Sequence, residues 1–219
     1  MFGKLIAHLR GQPSVEKVIH EPLRWIVLDT ETTGLSLWRH HLISIAAVAV
    51  VCEPGFRRAR IVLGDRFEAV IQQQKPTHQK SNILIHHIGV QAQREAEQGS
   101  QVMQRFAQWV GDAPLFAFHA PFDRAMIAKS YKKYEVAEPP NPWVDVAAMA
   151  TCARRDTFAA SLDERLEEYG LQCFARHQAS ADTFATAELM LRLLPVLREQ
   201  VQDFRGLVRL CADQTRSPA

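Results

Sequence analysis

The chain has 219 residues, 47% of them hydrophobic and 23% charged, an ordinary balance for a globular protein. A chain this long buries a sizeable core, so neither a disulfide nor a metal is needed for folding alone. The net charge of +2 is too small to mark a nucleic-acid binder by itself. The four cysteines, Cys52, Cys152, Cys173 and Cys211, form no Cys-x-x-Cys pair, which argues against a zinc site and suits a reducing compartment.

Residues Met1 to Arg10 hold no apolar run of signal-peptide length. The apolar stretch Leu42 to Cys52 is about half of the ~20 residues that a membrane span requires. The expected location is cytoplasmic, with no membrane contact. Phe2, Leu5, Ile6 and Leu9 recur at helical spacing before Gly11 and Pro13 break the pattern, so residues 1–23 read as an N-terminal extension.

The core pattern opens at Trp25. Trp25-Ile26-Val27-Leu28 predicts a buried strand ending at Asp29, and Leu42 to Val51 predicts a second. Arg60 to Gln72 holds one or two more, with Gly64-Asp65 as a turn. Short links between them imply an antiparallel meander. Glu95 to Val110 then reads as a helix, Leu115 to Phe118 as a strand, Phe122 to Tyr134 as a helix and Trp143 to Val146 as a fifth strand. Helices follow over Val146 to Arg154, Leu162 to Tyr169 and Ala181 to Leu194. Ser161 with Glu164 resembles a capping box, and Gly170 stands where a helix-ending glycine belongs. Pro195 marks a kink or a new start before a last helix to about Leu210. Meander followed by alternation implies a mixed sheet flanked by helices. The organisation expected is an extension over 1–23, one domain over 24–194, and a C-terminal helix and tail over 195–219.

Chemistry is suggested by where the acids fall. Asp29 and Glu31 are two apart at the end of an apolar strand, so both carboxylates leave one face of the sheet. Closely spaced oxygen ligands suit a hard cation. Asp123 follows the Leu115–Phe118 strand, and Asp182 opens an apolar helix with His177 just ahead of it. Either acid alone is explained by the helix macrodipole, and His177 alone by ordinary surface chemistry. Four carboxylates gathered together would need cations to offset their repulsion.

Three segments carry a resemblance. They are Val27-Leu28-Asp29-Thr30-Glu31-Thr32-Thr33-Gly34-Leu35, then His119-Ala120-Pro121-Phe122-Asp123, then His177-Gln178-Ala179-Ser180-Ala181-Asp182. In this order they resemble the motifs of the DEDDh exonucleases, the family of the proofreading epsilon subunit of bacterial DNA polymerase III. The resemblance implies an α/β, ribonuclease H-like fold with a mixed five-stranded sheet flanked by helices. It implies that Asp29, Glu31, Asp123 and Asp182 hold two divalent cations, Mg²⁺ or Mn²⁺, for two-metal phosphodiester hydrolysis. His177 is then the general base, since an imidazole pKa near ~6.5 suits that task.

By position, Thr32, Thr33, Leu35, His86 and Phe122 match residues that contact the terminal nucleotide. The implied activity is a 3′→5′ exonuclease releasing nucleoside 5′-monophosphates from single-stranded 3′ ends, DNA before RNA, in proofreading or repair. RNA trimming and a non-catalytic docking subunit are the alternatives. A polymerase or a second copy of the chain are the partners that the two ends would serve. Departures from the family pattern are Phe118-His119 in the second motif, His87 where a glycine is usual, and His40-His41 where an acid often stands. They bear on substrate preference and leave the implied ligands untouched.

Overall fold

A computed structural model describes residues 23–77, 80–154 and 161–214. The apolar stripe of Phe2 to Leu9 lies outside the described residues. Strand β1 (Leu23–Thr32) is longer than its four-residue apolar core, because it runs out through the acidic end to Thr32. It pairs antiparallel with β2 (Leu42–Cys52), which pairs antiparallel with β3 (Ala59–Val70). On its other side β1 pairs in parallel with β4 (Leu115–Ala117), and β4 with β5 (Trp143–Asp145). The sheet order is β3-β2-β1-β4-β5, so β1 is central and its far end opens beside a parallel crossover.

Side-chain alternation on β1 divides the core in two. Trp25 and Val27 face one layer, built from α5 (Val146–Arg154), α7 (Ala179–Leu197) and α8 (Phe204–Gln214). Ile26 and Leu28 face the other, built from α3 (Gly99–Val110) and α4 (Ala120–Lys133). Trp25 is fully buried and stacks on Phe116 at 4.9 Å between ring centres. The remaining helices are short: α1 (Lys80–His86), α2 (Val90–Glu95) and α6 (Leu162–Glu168). The capping box expected at Ser161 is present on α6, and Gly170 adopts positive φ just past its end. The mixed α/β architecture expected from the sequence is the one observed.

Three local readings differ. Gly64-Asp65 is not a turn between two strands. Val48 pairs with Arg66 and the next residue, Ala49, with Val62, so residues 63–65 bulge out of one continuous strand. Asp65 is held there by Arg24, with guanidinium bonds of 2.7 and 2.9 Å, and by the Trp109 indole at 3.0 Å. The helix expected over Glu95 to Val110 starts only at Gly99, as α3, and Glu95 instead ends the preceding α2. The two helices are separated where the Glu97 backbone bridges Ile71 and accepts from the Gln72 amide at 2.9 Å. Pro195 neither ends nor restarts a helix. It lies inside α7, which continues to Leu197 before α8 begins at Phe204. Among the described residues no helix is long and apolar enough to cross a membrane.

Candidate active site

The alternation that buries Trp25 and Val27 against α7 continues to Asp29 and Glu31. Their carboxylates therefore meet the N-terminal turn of α7, where Asp182 lies. Ligand oxygens of Asp29, Glu31 and Asp182 all lie within 4.8 Å of one another. The helix is fixed in place beside them. Thr183, next to Asp182, donates its hydroxyl to the Ala46 carbonyl at 3.0 Å, and Ala46 is the cross-strand partner of Asp29.

Asp123 reaches the cluster from the opposite face. It sits in the first turn of α4, buried, and its carboxylate accepts from the Thr30 hydroxyl at 2.6 Å. Thr30 stands between Asp29 and Glu31 and points the other way, as strand alternation requires.

Burial and crowding make these acids hard to ionise. Asp29 is pushed well above the ordinary carboxylate range by burial first, then by Asp123, Glu31 and Asp182. Glu31 is raised to about 8 by burial and by the charges of Asp182 and Asp123. Asp123 is raised to about 7 by burial, against the lowering effect of the Thr30 hydrogen bond. Buried like charges of this kind are a mark of functional sites. Part of the charge is compensated by Arg176, whose Nη1 donates to Asp182 and whose Nε donates to Asp163. Asp182 also accepts from the Cys173 thiol at 3.3 Å and from the His177 backbone amide at 2.9 Å.

This donor set fits divalent cations. All the converging ligands are carboxylate oxygens, the donors that Mg²⁺ and Mn²⁺ prefer. A cation would relieve the mutual repulsion that raises Asp29 and Glu31. Asp29, Glu31 and Asp182, with Asp123 alongside, are the residues that could hold it.

The other residues singled out from the sequence fall in different places. His177 has left-handed backbone (φ 62°) and an exposed side chain, and its main chain rather than its ring is tied to the cluster. Thr32 is buried and donates to the Gly34 carbonyl at 2.9 Å. The Thr33 hydroxyl accepts from the His41 amide at 2.9 Å. Leu35 is 85% exposed just beyond the acids. Phe122 is half-buried against the α3–α4 core.

His86 is buried and does not open onto the surface. Its Nε2 lies 2.8 Å from the Asn82 Oδ1, while Nδ1 accepts the Ile88 amide at 3.0 Å, so the proton is on Nε2. Asn82 in turn donates to the Thr32 carbonyl at 3.0 Å. Asn82 and Arg176, like Thr30 and Cys173, are site residues to which the sequence alone assigns no role. Arg176 stands next to His177, which was a usable signal. Asn82 is linked to Thr32 across 50 positions, which no local pattern reveals.

Comparison with known proteins gives the family and the fold. The RNase_T family model, described as an exonuclease, matches residues 26–190. The chain is 27% identical over 186 residues to the PolC-type DNA polymerase III of Staphylococcus aureus, covering 84% of this chain and 12% of that protein. It thus spans about an eighth of the length of these curated relatives. Among solved structures, exonuclease X bound to 5′ overhanging duplex DNA superposes with a TM-score of 0.61 at 19% identity, covering 86% of this chain and 99% of that one. Cell-death related nuclease 4 gives 0.67 at 18% identity, covering 78% and 64%. Escherichia coli exonuclease I bound to a dT13 oligonucleotide gives 0.63 at 17% identity, covering 81% and 42%. At these identities the structural matches speak for the fold, whereas the family model covers most of the sequence, both ends of the acidic cluster included. The chain belongs to the RNase_T exonuclease family.

Proposed function

We propose that this chain is a metal-dependent 3′→5′ exonuclease. It removes nucleoside 5′-monophosphates from single-stranded 3′ ends, DNA in preference to RNA, in the cytoplasm and in the service of proofreading or repair. The observation that carries this reading is the convergence of Asp29, Glu31 and Asp182 oxygens within 4.8 Å at the open end of the central strand. The DNA-bound states of exonuclease X and exonuclease I support DNA as substrate.

Two divalent cations, Mg²⁺ or Mn²⁺, when held by Asp29, Glu31, Asp123 and Asp182, supply an acidified water and charge stabilisation at the leaving oxygen. The chain's own residues do the rest. The oxygen of water attacks the terminal phosphorus, the bond from phosphorus to the 3′ oxygen breaks, and His177 takes the water proton on a ring nitrogen. Its exposed ring, on a main chain anchored to Asp182, is free to approach a bound phosphodiester. Thr32 and Thr33 fix the loop that receives the terminal nucleotide, Leu35 packs on its base, and Phe122 borders the same region. His86 acts at one remove, by holding Asn82 against the Thr32 carbonyl.

The test is a gel assay on end-labelled single-stranded DNA and RNA with Mg²⁺, Mn²⁺ or EDTA. A metal-dependent ladder shortening from the 3′ end, lost in Asp29→Ala and His177→Ala, is expected, faster on DNA. No degradation of either strand with any metal would overturn the reading.

A further inference from the structure

Trp38 is 93% exposed, although a tryptophan carries the largest apolar surface of any side chain. It is not on a loose loop. Residues 33–41, which leave directly from the acidic end of β1, are closed by paired bonds. The Thr33 amide donates to the His41 carbonyl, and the His41 amide to the Thr33 hydroxyl, both at 2.9 Å. Lys129 on α4 then places its ammonium among three loop carbonyls, those of Leu37 at 2.8 Å, Trp38 at 3.3 Å and His40 at 2.7 Å. Gly34, at φ 148°, allows the chain to turn there. A Cβ at that position would stand 2.7 Å from the His40 ring. An exposed indole is thus held on a braced support, in the same loop as the exposed Leu35.

The surroundings are cationic. Arg39 is exposed next to Trp38. The far end of the loop, His41, opens a groove of about 690 Å³ lined by Lys75, Lys133, Gln72, Gln74 and Ser100. Burial, and after it Lys133, Lys129 and His40, lower the pKa of His41, which places these groups within one another's field.

We infer that Trp38 is a stacking platform for a base of the substrate strand upstream of the terminal nucleotide, and that the His41–Lys75–Lys133 groove carries that strand's phosphates. The occupant is single-stranded nucleic acid. An unpaired base offers a π-face to the indole, and its backbone offers negative charge to the groove. Thr33, bonded to His41, follows directly on the strand that carries Asp29 and Glu31, so the loop and the groove begin one residue beyond the end of that strand. The inference rests on the nuclease reading of the site.

Binding of labelled 5′-mononucleotides and of ten-nucleotide oligothymidylate and oligouridylate to the full chain, measured in EDTA by fluorescence anisotropy, tests it without any cleavage. The longer strands are expected to bind more tightly. Trp38→Ala should cut that length-dependent gain about tenfold, in line with the cost of losing one base–aromatic stack. Trp38→Phe should restore most of it. Lys75→Ala and Lys133→Ala should each flatten the slope of log affinity against log salt by about 0.7. A gain with length that Trp38→Ala leaves intact would overturn the inference, as would a loss of self-association in that variant with oligonucleotide affinity unchanged. Failure of the nuclease reading is distinguishable, because it appears as intact ten-nucleotide strands after incubation with Mg²⁺ or Mn²⁺, whatever the binding data show.

Discussion

The hydroxyl of Thr30 donates to the carboxylate of Asp123 at 2.6 Å, joining the two faces of the central strand at the point where its acids emerge. Thr30 thereby does what neither Asp29 nor Glu31 can, because strand alternation aims those two at α7. The bond favours the ionised form of Asp123 and limits the rise that burial causes, to about 7. Thr30→Val keeps the shape and removes the donor. A buried carboxylate losing a hydrogen bond costs about 1–3 kcal/mol. The variant should unfold at lower urea in EDTA and bind Mn²⁺ more weakly, whereas Thr30→Ser should do neither. Urea titration with calorimetric Mn²⁺ binding checks both, and wild-type metal affinity in Thr30→Val would show that Asp123 stands outside the cation site.

The raised acids set the sign of the pH dependence. Glu31 ionises near 4.5 when unfolded and near 8 in the fold, and Asp123 near 3.8 and near 7. Between those values the folded chain binds more protons than the unfolded chain, so stability falls as pH rises. The contribution is complete below about pH 4 and is lost through about pH 7 to 8. Thermal midpoints in EDTA should therefore decline across neutral pH. Excess Mg²⁺ or Mn²⁺ should flatten the decline, since it binds the ionised cluster and releases protons. A midpoint that rises with pH in EDTA would contradict the crowded, proton-holding cluster.

His86 tests how far the site extends inward. Its Nε2–H is committed to Asn82, and Asn82 to the carbonyl of Thr32. His86→Phe removes that donor while filling the space. The expected result is a several-fold rise in KM for oligonucleotide with a smaller change in kcat, because the strand end carrying Thr32 loses a positioning bond. Asn82→Ala should behave the same way, and the double variant should be little worse than either, as for members of one chain of bonds. Steady-state kinetics on a labelled strand decides it. Additive losses would mean that His86 meets the substrate by itself.

Much of this site was legible in the sequence because it depends on local periodicity. The two-residue spacing of Asp29 and Glu31 fixed their common face, and the apolar pattern after Asp182 fixed the helix that brings it there. The errors have equally specific causes. Gly64-Asp65 has turn composition, but Arg24 and Trp109 hold Asp65 in a bulge, and those partners lie 41 and 44 positions away. Pro195 suggests a kink or a new start, yet α7 carries it inside and runs on to Leu197; the missing N–H costs one bond to the residue four back, which the burial of Leu193, Leu194 and Leu197 offsets. Arg176 and Asn82 escaped notice because an arginine or asparagine acquires a role only from the residue it reaches.

Arg176 gives the last test. Its guanidinium donates to Asp182 and to Asp163, so it supplies positive charge at the same carboxylate that a cation would use. Cation binding must therefore displace or reorient it, and part of the free energy of binding is spent on breaking the pair. Arg176→Gln removes the competing charge and retains a donor for Asp163. The variant should bind Mn²⁺ several-fold more tightly than the wild type, about 1 kcal/mol for a half-buried ion pair of this kind. Without metal it should be less stable, since Asp182 then faces Asp29 and Glu31 with its charge unscreened. Calorimetric Mn²⁺ titration and thermal unfolding in EDTA give the two readings. Weaker Mn²⁺ binding in Arg176→Gln would show that the arginine helps to shape the site and does not compete for it.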